Sequence, residues 1–545
     1  MEAGLPPFLV EYVPMKRIYH GALKEIEKKL RNDIAFAKRD DIFYPVVVLV
    51  PSNLAGVYLR RSLARSGGSY CRVRFLTLSD LASMLAENNP DYSLHHREMP
   101  PFGEKWLVAL TAREAAGGYF GPVAGRPGFS EALLQTFQEL EEAGLEQVPL
   151  APGGDERRVA ALQRLYRRYR ELHRPFINRE AAFTAAARLD RHPSFMVALY
   201  GIYQLSVPEK KLLAALAGRN PVTVYWQESA IEFAAVKHLQ RWFQGQGFSK
   251  ERLPSPQDEG GNLARLQKYL FQPSSGETAP ENGDGSLEFI CAPDEVSEVE
   301  EITREMITLA RGGVRLGEMA VLLPQAGYAG MFAEKLAAAG IPYYLAGGLP
   351  LSRTRAGRSF LLVLEMIGSD YPRQKVMELF TYAPFDYRRI LKITSGGSAN
   401  PALWDHLTLQ AGVIKGRRHW NEALERFKRR LQGETWADEN AEADGAAVRA
   451  REQLLQLELL LDFLQLFFKL LHRFDRCRSW TGLTAATEEL VGRLFYSGEE
   501  QQALLQLFKR LRRLDECGGE FALKPALELL RSSLQVTALP RGKFQ

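Results

Sequence analysis

Over residues 8–90, short apolar runs alternate with stretches of helical period. Phe8-Leu9-Val10 is the first run, and Ile18–Asn32 follows as a helix with Leu23, Ile26 and Leu30 on one face. Tyr44–Val50 is an unbroken, valine-rich run stopped by Pro51. Such a run fits a parallel strand buried on both faces. Leu54, Val57, Leu59 and Leu63 mark the next helix, and Val73-Arg74-Phe75-Leu76 the next strand. Ser79 is placed to cap a helix over Asp80–Glu87. Strand and helix in alternation predict a doubly wound α/β sheet.

The period then changes. From Gly103 to Leu189 only helical spacing is found, including helices over Phe129–Ala143, closed by Gly144, and Asp155–His173. Strand patterns return at Phe195–Tyr200 and Pro221–Trp226, so the helical stretch reads as an insertion into an α/β domain. Residues 254–286, rich in Pro, Gly, Ser and Glu, read as a linker. A second α/β unit is predicted after it, with strands at Leu287–Cys291 and Met319–Leu323, helices at Glu295–Arg311 and Tyr328–Ala339, and Gly340–Leu345 leading into a third strand. From Ser359 onward the pattern is helical and ends in a basic, unpatterned tail, Pro540–Gln545.

Composition narrows the class only slightly. The chain has 545 residues, 46% hydrophobic and 25% charged, an ordinary globular balance that excludes a disordered chain or a disulfide scaffold. Seventy basic against 65 acidic side chains leaves +5, too little to identify a nucleic-acid binder. Cys71, Cys291, Cys477 and Cys517 are scattered, without the short spacing of a zinc or iron–sulfur site. The N-terminus lacks a signal-peptide pattern, and Leu454–Leu471 is interrupted by Glu458, Asp462 and Lys469. These features predict a cytoplasmic protein with no membrane partner.

Candidate chemistry is sparse. No G-x-x-x-x-G-K-[ST] occurs, which speaks against a standard phosphate loop. Glu27-Lys28-Lys29 and Glu209-Lys210-Lys211 spell the E-x-K of a nuclease but read as solvated helix faces. His95, His96 and His173 lack partners at ligand spacing and read as plain histidines. Arginines do cluster. Arg157, Arg158, Arg164, Arg167, Arg168, Arg170 and Arg174 share a helix whose apolar face is Val159, Leu162, Tyr166 and Tyr169. Arg417, Arg418, Arg426, Lys428, Arg429 and Arg430 form a second cluster, and Lys509, Arg510, Arg512 and Arg513 a third. Each can contact phosphates without reading sequence, or be a solvated face.

The order of elements carries a resemblance. Phe8-Leu9-Val10, then Val46–Ser52, then Phe75–Leu81 resembles the start of the B subunit of the AddAB/RexAB-type helicase–nuclease. That family resembles a superfamily 1 helicase of the UvrD kind joined to a PD-(D/E)XK nuclease. Gly128-Phe129 with Phe137–Leu140 and Ala143–Leu145, then Leu199–Ser206 and Ala320–Pro324, continue it. Glu11–Ile18 falls where the phosphate loop would be, with Lys16 or Arg17 as the only echo of its lysine. Gly201-Ile202-Tyr203-Gln204 falls where the acidic pair would be, and Gly330 where an arginine would meet the nucleotide.

The resemblance implies two RecA-like parallel-sheet domains, the second incomplete, each with a helical insertion. The first spans 1–90 and 190–253, with the insertion at 91–189. After the 254–286 linker, the second spans 287–370, and 371–545 is a helical insertion and tail, truncated before the nuclease. It implies a non-motor DNA-binding subunit acting in double-strand-break repair and recombination, with no cofactor of its own. Its partners would be DNA, as a single strand or duplex end, and an A-type helicase–nuclease subunit. Ser52, Asn53, Thr77 and Ser79 at the strand ends, with Arg164, Arg167 and Arg168, are the expected DNA contacts, although the first four also suit helix capping. The rival expectations are a scaffold that docks a partner helicase without touching DNA, and an ATPase with an unorthodox site.

Overall fold

A computed structural model describes residues 16–65, 71–87, 92, 97–115, 118–126, 128–149, 154–177, 179–189, 194–227, 234–254, 261–263, 266, 284–323, 325, 327–367, 369–393, 398–438 and 445–542. The expected strand Phe8–Val10 and His95-His96 lie outside them. The chain divides into two compact units, Met1–Met99 with Thr111–Phe289, and Pro100–Leu110 with Ile290–Gln545.

The first unit is built on a six-stranded, all-parallel sheet. Its strands are β1 (Lys16–Gly21), β2 (Val46–Leu49), β3 (Val73–Leu76), β6 (Met196–Tyr200), β7 (Val222–Gln227) and β8 (Ser249–Arg252), in the order β3-β2-β6-β7-β1-β8. Two short strands, β4 (Arg97–Glu98) and β5 (Phe176–Ile177), form a separate pair. The expected α/β class is therefore present, and the sheet is consistent with a RecA-like fold.

Period-two burial sorts the strand residues into two cores. Val47, Leu49, Val197, Leu199, Val224 and Trp226 face α3 (Leu78–Ala86), α7 (Arg179–Ala187), α8 (Val207–Ala217) and α9 (Ala234–Gly245). Val46, Val48, Met196, Ala198, Tyr19 and Tyr225 face α1 (Leu23–Ala37) and α2 (Asn53–Arg65). Between β3 and β6 the chain forms α4 (Gly103–Glu114), α5 (Phe129–Glu142) and α6 (Glu156–His173) before α7.

Three expectations are corrected in this unit. Lys16–Gly21 is a strand inside the sheet, so Lys16 and Arg17 cannot belong to a phosphate loop, and the helix begins at Leu23 rather than Ile18. Lys16 Nζ donates to the Gln246 carbonyl at 3.1 Å, and Arg17 to the Tyr19 hydroxyl at 2.9 Å. The cap of α3 is Thr77, not Ser79. Thr77 Oγ1 accepts from the Asp80 N–H at 3.2 Å and Asp80 accepts from the Thr77 N–H at 3.1 Å, a reciprocal capping box. Glu209 is buried, and Glu27 is half-buried and engaged by hydroxyls, so neither is a plain solvated position. Glu27 accepts from the Tyr58, Tyr200 and Ser62 hydroxyls at 2.9, 3.0 and 3.3 Å, and buried Glu209 closes a second capping box with Ser206.

In the second unit, α10 (Glu295–Arg311) and α11 (Gly327–Ala338) pack through Val299, Phe332 and Leu336. The expected parallel sheet beneath them is not found among the described residues. Segments 287–291 and 319–323 run without strand partners, and Leu322 is 94% exposed. A parallel ladder needs apolar cover on both faces, and these runs lack it. Instead β9 (Tyr344–Pro350) pairs antiparallel with β10 (Ala538–Gly542), so the expected unpatterned tail begins as a strand. Helices make up the rest, around an aromatic core of Phe380, Phe385, Trp404, Phe463 and Phe467. Buried Gln456 stitches it by accepting from Trp404 Nε1 and the Asn400 N–H, both at 3.0 Å.

α12 (Arg355–Met366) starts against a tight turn. A Cβ on Gly357 would lie 1.8 Å from the Leu351 carbonyl oxygen and 3.0 Å from Thr354 Oγ1, the cap of this helix. Backbone has to move to admit it. Gly357→Ala should therefore destabilise this unit by at least about 3 kcal/mol, read by urea unfolding.

Candidate functional site

In an open α/β sheet, a crevice forms where neighbouring strands send their following helices to opposite faces. Here three neighbouring pairs meet this condition, β3 with β2, β2 with β6 and β7 with β1, and the cleft is at β2 and β6. α2 follows β2 onto one face, and α8 follows β6 onto the other. A cleft of about 1010 Å³ lies there, at the C-terminal ends of the strands. Val50 and Pro51 line it after β2, Thr77 and Ser79 after β3, and Gly201–Ser206 after β6. Lys210 of α8, His238 of α9 and Glu142 at the end of α5 complete it.

The polar groups here are held firmly. The Tyr203 hydroxyl accepts from the Gln227 N–H at 3.2 Å, and buried Trp226 donates from Nε1 to the Ile202 carbonyl at 2.7 Å. The N-termini of α3 and α8 both open toward the cleft. Helix N-termini attract anions, but each of these already has a carboxylate of the chain on it, Asp80 on α3 and Glu209 on α8. Free anion-binding capacity in the cleft therefore rests on Lys210 and on hydroxyls, not on the helix ends.

The place of a phosphate loop is closed. One residue, Ala22, separates β1 from α1. A loop that wraps phosphate with successive N–H groups needs several residues between strand and helix. Gly21 is moreover pinned, since the Leu253 N–H donates to the His20 carbonyl at 2.8 Å and a Cβ on Gly21 would stand 3.0 Å from the Leu253 Cβ. The end of β6 offers Gly201, Ile202 and Tyr203 where metal-holding carboxylates would be needed. These residues do not fit a magnesium nucleotide.

The residues expected to contact DNA fall in three groups. Thr77 and Ser79 line the cleft. Ser52 and Asn53 are exposed just past it, with Ser52 Oγ accepting from the Ala55 N–H at 3.3 Å as a cap of α2. Arg164, Arg167 and Arg168 are on α6 and do not line the cleft. Arg168 is engaged by Glu114 at 3.0 Å and Glu171 at 3.4 Å, whereas Arg167 borders a separate concavity of about 360 Å³ with Gln147 and Gln163. Sequence reading missed Ser206, Lys210 and His238. The Ser-x-x-Glu box at 206–209, directly after a strand, was the available signal.

Among the described residues no group of three or more His, Cys, Asp or Glu side chains is arranged for a metal. Among them too, no helix is long and apolar enough to cross a membrane. No protein-family model matches the chain, and no curated protein matches it.

His173, considered above as a ligand, is a core residue at the end of α6. Its ring stacks on Tyr169 at 5.0 Å, and Tyr169 stacks on Phe137. Burial pushes its imidazole down from 6.5 to about 4. The folded state keeps it neutral while the unfolded state protonates below about 6.5. Its contribution is therefore complete above 6.5 and lost as pH falls to about 4, by up to about 3 kcal/mol. His173→Phe should flatten this acid slope in urea melts taken between those pH values.

Proposed function

We propose that this chain is the non-motor, DNA-binding subunit of a helicase–nuclease acting in double-strand-break repair and recombination, paired with an A-type subunit that supplies ATP hydrolysis. One observation carries the reading: the sheet keeps an open cleft at the ends of β3, β2 and β6, while the β1–α1 junction, two strands away from β6, leaves a single residue where a phosphate loop would be. A fold that retains the cleft without the nucleotide site suits holding a strand rather than moving it. The element order described above supplies the link to the helicase–nuclease family.

In this reading Thr77, Ser79, Ser206 and Lys210 contact the strand in the cleft. The exposed Arg164 and Arg167 add sequence-independent phosphate contacts on the insertion. The scaffold alternative draws on the capping carboxylates of α3 and α8 and on the internal pairing of Arg168, all of which reduce the charge available to DNA.

Fluorescence anisotropy with single-stranded and duplex oligonucleotides over a salt series separates the two. The proposal expects binding that weakens steeply with salt and ignores ATP. Arg164→Glu with Arg167→Glu should lower the magnitude of the salt slope by roughly 1.4–1.8, the loss of two phosphate contacts. Ser79→Ala, which leaves the Thr77–Asp80 box intact, should weaken binding about fivefold through loss of one hydrogen bond. Absence of binding at low salt would reject the DNA reading and leave the scaffold.

A further inference from the structure

The cleft is lined by many polar groups but little positive charge, Lys210 against Glu142 and Glu209. A nucleic acid held there needs its phosphates met elsewhere. Cations gather on the surface that begins at the cleft's edge, for Pro51 lines the cleft and α2 starts two residues later. α2 contains no acidic residue. Leu54, Tyr58, Arg61 and Arg65 recur at helical spacing along one stripe of it, and all four are exposed, Tyr58 by 47%. Arg60 lies beside them, over the Phe75 ring at 5.7 Å. α1 adds Lys24, Lys28 and Arg31. Its acids are already engaged. Glu27 accepts from the Tyr58, Ser62 and Tyr200 hydroxyls, Glu25 stands 3.7 Å from Lys28, and Asp33 pairs with Lys29. The two helices therefore present a net positive surface, outside the three basic clusters described above.

Tyr58 distinguishes this surface from a plain basic face. Its hydroxyl donates to Glu27 at 2.9 Å, which holds the ring in place while it stays half exposed. Tyr200, at the end of β6, donates to the same carboxylate at 3.0 Å, and Gly201 beside it lines the cleft. The ring is thus fastened to the strand end from which the cleft opens. A fixed aromatic ring flanked by guanidinium groups has the form of a stacking platform for an unpaired base, with cations for the adjoining phosphates. Bases inside an intact duplex already stack on one another and have no free face to offer it.

We propose that the exposed face of α2 is a track for single-stranded DNA leaving the cleft, with Tyr58 stacking a base and Arg61 and Arg65 meeting phosphates. This rests on the DNA-binding reading above and adds to it a route and a preference for unpaired strands.

Anisotropy on the full chain, with a single-stranded oligonucleotide and a duplex closed by hairpins at both ends, tests this. Tyr58→Phe and Tyr58→Leu both lose the hydrogen bond to Glu27, but only the leucine variant loses the ring. Tyr58→Leu should weaken single-strand binding by roughly tenfold, the loss of one stacked base, while Tyr58→Phe stays close to wild type. The closed duplex should be indifferent to both. Arg61→Glu with Arg65→Glu should lower the magnitude of the single-strand salt slope by roughly 1.4, the loss of two phosphate contacts. Single-strand binding that Tyr58→Leu leaves unchanged, or that Tyr58→Phe weakens equally, would overturn the track and leave the cleft reading standing. So would a salt slope indifferent to the charge reversals. A wild-type chain that binds no DNA at low salt would reject both.

Discussion

The single residue between β1 and α1 constrains what the first unit can do. A strand that runs almost directly into a helix leaves no backbone to curl around a phosphate. The packing of Leu253 over Gly21 holds that junction in place. The same helix is fastened to the sheet beneath it by polar contacts instead of a ligand. Asp33 accepts from the Tyr225 hydroxyl at 2.7 Å and from Lys29, whose ammonium also sits 4.4 Å above the Tyr19 ring, while Glu27 holds Tyr200 and Tyr58. Burial and the adjacent carboxylate raise the pKa of Tyr225, so this phenol is a permanent donor at physiological pH.

A common logic links this junction to the cleft. Three places at this edge of the sheet where an anion could bind are taken up by the chain itself. Asp80 sits on the N-terminus of α3, Glu209 on that of α8, and the β1–α1 turn is closed outright. What remains open is a broad cleft lined by hydroxyls, one lysine, one histidine and the carboxylates of Glu142 and Glu209.

The sequence made some of this legible. Strands β2, β6 and β7 are buried on both faces; unbroken apolar runs announce the first two, and a run broken only by Thr223 before its last residue announces the third. α5 and α6 carry clear helical stripes, with Leu133, Leu134, Phe137 and Leu140 buried on the first. β1 was hidden because Lys16, Arg17 and His20 break its apolar pattern. Its polar ends are tolerated because Lys16 and Arg17 reach a carbonyl and a hydroxyl at its start. The second unit misled for the opposite reason. Its runs at 287–291 and 319–323 have the residues of strands, but strand formation depends on partners that a local pattern cannot reveal. At the cleft, Thr77 and Ser79 were reachable from their place after a strand. His238 was not, because it comes from the far end of the fold's chain order and carries no local motif.

The closed junction is tested most directly by hydrogen–deuterium exchange across residues 16–37, with and without a magnesium–ATP excess. The account predicts identical uptake in the two samples, because no loop is available to close on the phosphates. Protection that appears over His20–Ile26 on adding nucleotide would contradict it and restore this edge of the sheet as a nucleotide site.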